Sequence, residues 1–467
     1  MKRMNKVRAL SVAIAISVAM VLLVWWTQGD RSHTSDDFND LRVERKALPD
    51  EKNFRVVLDE AAGLLPGRVN APQWLLTAKA LGNKWEADAA TNILAQSEEA
   101  RARIKAGLNQ CEGYSNGEPI KRTTGGYLGS MCDNADQRLA LAWAMRVSFE
   151  HAVQTGDAER AYGLVCDMFR AASWVAESPG GLADLKHMTA WIGCGMMCCE
   201  KLSHQAACRD EWLAEMQERM PKRAEIVRAG TVALRSEFNR LYPFALRFST
   251  WDKVYYPTCN ELVFLKKRYW FFMDLTYRPA QTRRLLADAF RDAIAIVQRE
   301  RVATPLEEKS AFKTKSVSDY FRPNIGGRIM NESVTFFNVL FVRRLKGLEA
   351  REECLRAVLA CERYRRKAGA YPETLEALVP TFLDWVPHDP YSGGPLRYSR
   401  AKEIVWSAGA NRNDDGGTTD MAEGRAGLFR EESDSKALDL VYPVSSNQWA
   451  NALETARRWH ARGHARK

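Results

Sequence analysis

Apolar positions fall into three patterns along the chain. From Ala9 to Trp26 runs ALSVAIAISVAMVLLVWW, 18 residues without a charge. From about Phe54 to Leu348, apolar residues recur at three- and four-residue spacing between short polar breaks, which predicts helix after helix. Beyond residue 350, one more helical stretch gives way to turn-rich sequence with short extended runs.

The middle pattern is clearest over 137–154. Leu139, Trp143 and Val147 form one stripe, and Leu141, Met145 and Phe149 form another well round the helix. Two such stripes predict packing on two sides. Thr155-Gly156-Asp157 ends this helix, and another follows at once. Ser178-Pro179-Gly180-Gly181 ends that one, and a third is expected from Leu182 to about Leu202. Short breaks between such helices predict a helical bundle or α-solenoid over 53–348. No repeat of about 34 or 40 residues is evident.

The C-terminal pattern predicts a small α+β module over 350–445. A helix is expected over 351–369, with Leu355, Val358, Leu359 and Cys361 on its apolar side and Gly369 just past its end. Pro372 suits the first position of a further helix that turns Leu375, Leu378 and Val379 inward. Asp389-Pro390 and Ser392-Gly393-Gly394 are turn signals. Leu396–Ser399 and Glu403–Ser407 read as a strand pair, and Leu438-Asp439-Leu440-Val441 as a closing strand.

Charge changes this picture only at the ends. The 467-residue chain carries +10, of which +4 lies in residues 1–8 and +4 in the last 17. The remaining +2 is no electrostatic footprint for a phosphate backbone, so nucleic acid is not an expected partner. The first basic cluster precedes the apolar run. As a helix that run spans about 27 Å, enough for a hydrocarbon core of ~30 Å. Cations before it and Trp25-Trp26 after it match a membrane anchor with its N-terminus in the cytoplasm. The run exceeds a usual signal-peptide core, and no small-residue cleavage site follows, although a cleaved signal is the competing reading. The expected order is a basic end over 1–8, a transmembrane signal-anchor over 9–26, a polar stalk over 27–52, the helical domain, the module, and a basic tail over 446–467. The bulk of the chain is then expected in the bacterial periplasm. The tail, with Trp449, Leu453 and Trp459, reads as a basic helix for anionic lipid or a partner, or as a solvated end.

Export makes the ten cysteines informative. Cys111 and Cys132 bracket a Gly-rich loop. A disulfide there would close about 22 residues and contribute on the order of 3 kcal/mol; two unrelated buried thiols are the alternative. Cys194 and Cys198 share a helix face, with His187, Cys199, His204 and Cys208 in the same stretch. That set reads as a metal or redox site or, given Ile192, Met196 and Met197, as a core-facing stripe without the paired C-x-x-C spacing. Gly113-Tyr114-Ser115-Asn116-Gly117 matches G-x-S-x-G without the strand and helix a nucleophile elbow needs. Ser310 to Lys313 matches S-x-x-K without a K-T-G partner. P-loop, H-E-x-x-H and dinucleotide fingerprints are absent from the sequence.

The segment from about 354 to 443 resembles the globular end of the major pseudopilin of type II secretion, as appended to uncharacterised planctomycete-type envelope proteins. The matching residues are Tyr364, Gly369, Tyr371-Pro372, Leu375, Leu378, Pro380, Pro387, Asp389-Pro390, Gly393, Pro395-Leu396, Tyr398, Ser407, Gly409, Asn411, Asp414-Asp415-Gly416-Gly417 and Asp439-Leu440-Val441. The apolar run at 9–26 holds no Glu and follows no Gly–Phe processing site, so assembly as a pilus subunit is not expected. The resemblance implies a calcium loop, and Asn411, Asn413 and Asp415 place side-chain oxygens at alternate positions before Gly416. Asp414, Asp420 or Glu423 would complete the shell; the twelfth position, Ala422, rules out a full EF-hand. A solvated Asn/Asp/Gly turn is the alternative. The function these readings imply is a membrane-anchored, non-enzymatic scaffold or interaction protein of the cell envelope, linked to secretion or surface assembly and working with an envelope partner. The competing reading is an exported hydrolase with its site in the helical domain.

Overall fold

A computed structural model describes residues 35–43, 48–65, 86–115, 135–246 except 178, 277–300, 324–417 and 439–454 except 453, with four positions between 16 and 20. The described chain is mainly helical, with one small sheet near its C-terminus. Among the described residues no helix is long and apolar enough to cross a membrane. The expected anchor at 9–26 lies almost entirely outside them.

Helix α1 (Phe54–Gly63) starts where the Asn53 side chain accepts the Arg55 backbone N–H, an N-cap. α2 (Ala87–Gln96) comes next, and α3 (Glu98–Gln110) packs beside α1. α4 (Ala135–Gln154), α5 (Ala158–Glu177) and α6 (Leu182–Ser203) then follow with the breaks read from sequence. Both stripes of α4 are buried, as expected for a helix covered on two sides. Its Arg138 is buried too, and bridges Asp59 of α1 (2.7 Å from Nε) to Asp184 of α6 (3.3 Å from Nη1). α7 (Asp210–Arg219), α8 (Arg223–Leu241) and α9 (Pro279–Gln298) complete the described helices before the longest of them.

That longest helix, α10, runs from Ile325 to Ala368, 44 residues, or about 66 Å. It starts well before residue 350. One continuous helix therefore spans the position where the sequence pattern changes. On one side α10 meets α6, α7, α8 and α9; on the other it meets the sheet. Gly230 of α8 lets it come close: a Cβ there would lie 2.4 Å from Leu345 Cδ1. From Leu345 to Glu362 every residue but Arg356 is buried. Gly369 ends the helix at φ 76°, a left-handed conformation that glycine adopts without strain.

The sheet has the order β1–β2–β3 and is antiparallel: β1 (Arg397–Ser399), β2 (Ile404–Ser407) and β3 (Leu440–Pro443). Val405 faces Tyr398 on one side and Tyr442 on the other. β3 begins two residues later than the sequence pattern predicts. The helix expected at Pro372 is only a 3₁₀ turn, Leu375–Leu378, capped at Thr374, because Leu375 and Leu378 alone supply its buried contacts. One apolar cluster runs from Phe54 and Trp191 through Leu345 and Leu359 to Val405 and Tyr442. The sheet thus shares a core with the helices.

Burying so much of α10 buries its charges. Lys346 is fully enclosed. Its Nζ donates to the carbonyls of Val297 in the last turn of α9 (3.0 Å) and of Arg299 just past its end (2.8 Å), and to both oxygens of Glu349 (3.0 and 2.9 Å). A cation at a helix C-terminus satisfies carbonyls that have no partner within the helix. Lys346→Ala is expected to cost about 3 kcal/mol in urea unfolding, because it leaves the buried Glu349 carboxylate with only the 3.4 Å Arg223 pair among the described residues and removes a donor from the Val297 and Arg299 carbonyls. Lys346→Met combined with Glu349→Leu is expected to recover most of that loss; equal losses in both variants would refute this account.

Candidate functional site

A cleft of ≈ 550 Å³ opens where α7, the start of α8, the middle of α10 and the segment 380–390 meet. On α10 the lining residues Glu349, Glu352, Glu353, Arg356 and Arg363 recur at three-, four- and seven-residue steps, which puts them along one face. Gln217 holds the walls together. Its Nε2 donates to the Phe382 carbonyl (2.8 Å), its Oε1 accepts from Arg363 (3.1 Å), and its own carbonyl accepts from Arg356 (2.8 Å).

The floor is electrostatically uneven. Glu349 is matched by Lys346 and by Arg223 at 3.4 Å. Glu352 accepts from Arg356 Nε at 2.7 Å. Its other oxygen, and one oxygen of Glu353, are buried without a hydrogen-bond partner. Glu353 is only 5% exposed. Burial, then the neighbouring Glu352 carboxylate, push the Glu353 carboxyl up to about 8, against the pull of Arg356 and Arg223. Burial also raises Glu352, with Arg356 opposing it. A floor of this kind can accept hydrogen bonds and positive charge. At its rim stands Trp385, 55% exposed. Beside it, Phe382 already carries two cations over its ring, Arg363 at 5.4 Å and Lys367 at 5.8 Å.

The residues singled out from sequence lie elsewhere. In the loop after β2, Asp414 accepts from Trp406 Nε1 (3.0 Å), Arg397 Nε (2.6 Å) and the Gly416 N–H (3.0 Å). Asn411 accepts from the Asn413 N–H (3.0 Å) and donates to Asp415 (3.0 Å). Arg397 also bonds Asp389, so a protein cation already neutralises both Asp389 and Asp414. As placed, these donors do not assemble a calcium shell. Among the described residues no three His, Cys, Asp or Glu side chains are grouped to hold a metal, and Asp420 lies outside them.

Cys111 is buried, and its expected partner Cys132 lies outside the described residues. Cys194, Cys198 and Cys199 are buried along α6, and burial holds the Cys198 and Cys199 thiols well above the ordinary range. Such thiols are unreactive core groups. Ser115 is buried, with its backbone N–H and carbonyl both held by the Asn53 side chain. Residues 310–313 lie outside the described chain.

Sequence reading passed over the acids of α10 because a dense charge run on a helix usually faces solvent. One signal was present. Leu348, Ala350, Leu355, Ala357 and Val358 surround the run and leave it no free face. No protein-family model matches the chain, and no curated protein or solved structure matches it.

The raised Glu353 carboxyl has a measurable consequence. The unfolded chain ionises it near 4.5 and the folded chain near 8, so the native state holds the extra proton between those values. Stability therefore falls as pH rises through that window. Glu353→Gln is expected to match the parent at the acid end in urea unfolding and to exceed it by on the order of 2 kcal/mol at the alkaline end. A variant with no alkaline advantage would contradict the assignment.

Proposed function

We propose that this chain is a non-enzymatic scaffold of the bacterial cell envelope, tethered through residues 9–26, with its helical stack and a pseudopilin-like C-terminal module on the periplasmic side. The observation that carries the reading is the seam. The C-terminal sheet packs on the same helix as α6–α9, and a cleft of ≈ 550 Å³ is left open beside the join. A joint of this kind offers a partner one composite surface. The cleft falls within the size range of pockets that hold ligands or side chains.

Two further observations favour a binding role over hydrolysis. The Ser115 backbone is clamped within the wall beside α1, away from the cleft. The thiols of α6 are sealed in the core. The tether rests on the uncharged run behind a basic cluster. The module rests on the resemblance over 354–443.

Fractionation tests the tether. The full chain is expected to sediment with membranes, to resist alkaline carbonate and to be released by detergent, whereas a variant lacking residues 1–26 is expected in the soluble fraction. Recovery of the full chain from the soluble fraction would overturn the envelope reading.

A further inference from the structure

We propose that the cleft at the seam receives a lysine or arginine side chain of a partner protein, with its cation held between the Glu352–Glu353 floor and the Trp385 rim. This rests on the docking role given above and names the chemistry of the partner.

Charge points to a cation. Along the walls of the cleft, acidic side chains outnumber lysine and arginine six to four. Arg223 and Arg356 are each committed to one carboxylate, Glu349 and Glu352 respectively. Glu353 makes no ion pair among the described residues, and both Glu352 and Glu353 keep one oxygen without a hydrogen-bond partner. Each is more than nine-tenths buried while lining the cleft. Leaving such an oxygen unsatisfied is costly, the more so for a charged group, and a donor cation removes that cost. An anionic ligand would meet like charge, and an apolar one would leave both oxygens orphaned.

The rim and the donor set narrow the cation further. An exposed indole lining the same cleft as the carboxylates suits an organic cation through cation–π attraction. Phe382 already holds the Arg363 guanidinium and the Lys367 ammonium in this way, so the local geometry accepts both types. The described acids of the floor do not form a metal-binding group. A cleft of ≈ 550 Å³ has room for a long side chain and the backbone on either side of it.

The test uses the full chain in detergent and fluorescence anisotropy with labelled penta-lysine and penta-arginine, at mildly alkaline pH where the floor is ionised. The chain's net charge of +10 works against adventitious binding of polycations. Saturable binding is expected, weakened about tenfold or more by Glu353→Gln and severalfold by Trp385→Ala. Glu159→Gln, on an exposed acid of α5, is expected to change nothing. Thermal unfolding checks that each variant is folded. The proposal fails if Glu353→Gln binds like the parent, if penta-glutamate binds as tightly, or if neither basic peptide binds. It fails in its partner form if removal of residues 455–467 tightens binding tenfold, since the chain's own basic tail would then be the occupant. These outcomes are independent of fractionation: a lost tether leaves the cation site standing, and an unaffected Glu353 variant leaves the tether standing.

Discussion

The structure depends on enclosing charge within α10. A 44-residue helix that touches helices on one side and a sheet on the other has no solvated face through its middle. Its ionisable side chains must find partners inside the protein or remain unsatisfied. Lys346 does so by binding carbonyls at the C-terminal end of α9 and the Glu349 carboxylate. Glu362 does so by accepting from Arg365 and Arg366 one turn on, which holds its carboxyl below the ordinary value despite burial. Between them, Glu352 and Glu353 are left incompletely matched. The cleft lies at this mismatch, and the proposed binding chemistry follows from it. A site whose stability would improve on substitution is what a trade-off between stability and function produces.

The C-terminal module is organised around a second enclosed carboxylate. Asp389 is fully buried and accepts five hydrogen bonds: from the Tyr391 and Ala408 N–H groups, the Ser392 and Ser407 hydroxyls, and Arg397. These donors join the turn after Pro390 to the end of β2. Arg397 passes the connection on to Asp414, and the Trp406 indole completes it. The Asp-Pro, Ser and Asn/Asp-rich features that look like separate motifs in sequence are therefore one network. Its cation is an arginine. For that reason an oxygen-rich loop with the alternation of a calcium site is satisfied here by protein donors.

Local structure was legible wherever one short-range cause decided it. The Thr155-Gly156-Asp157 break, the α6 start after Gly181 and the glycine end of α10 all follow from backbone preferences and fall where the pattern places them. β1 and β2 match within a residue, since a buried face enforces alternation. The helix expected at Pro372 shrank to a 3₁₀ turn because only two of its apolar residues reach the core. The single helix across residue 350 was missed for a related reason. The stretches before and after 350 are one helix, and it is the sequence after Gly369 that leaves helical spacing.

The sequence by itself determined a mainly helical chain with a small terminal sheet, since spacing and turn chemistry act within a few residues. Tertiary structure alone decided which charges are enclosed. Glu353 on the same helix in water would be an ordinary solvated acid. It becomes a raised, half-satisfied carboxyl in a cleft only because α7, α8 and the 380–390 segment, distant in sequence, close around it and exclude water.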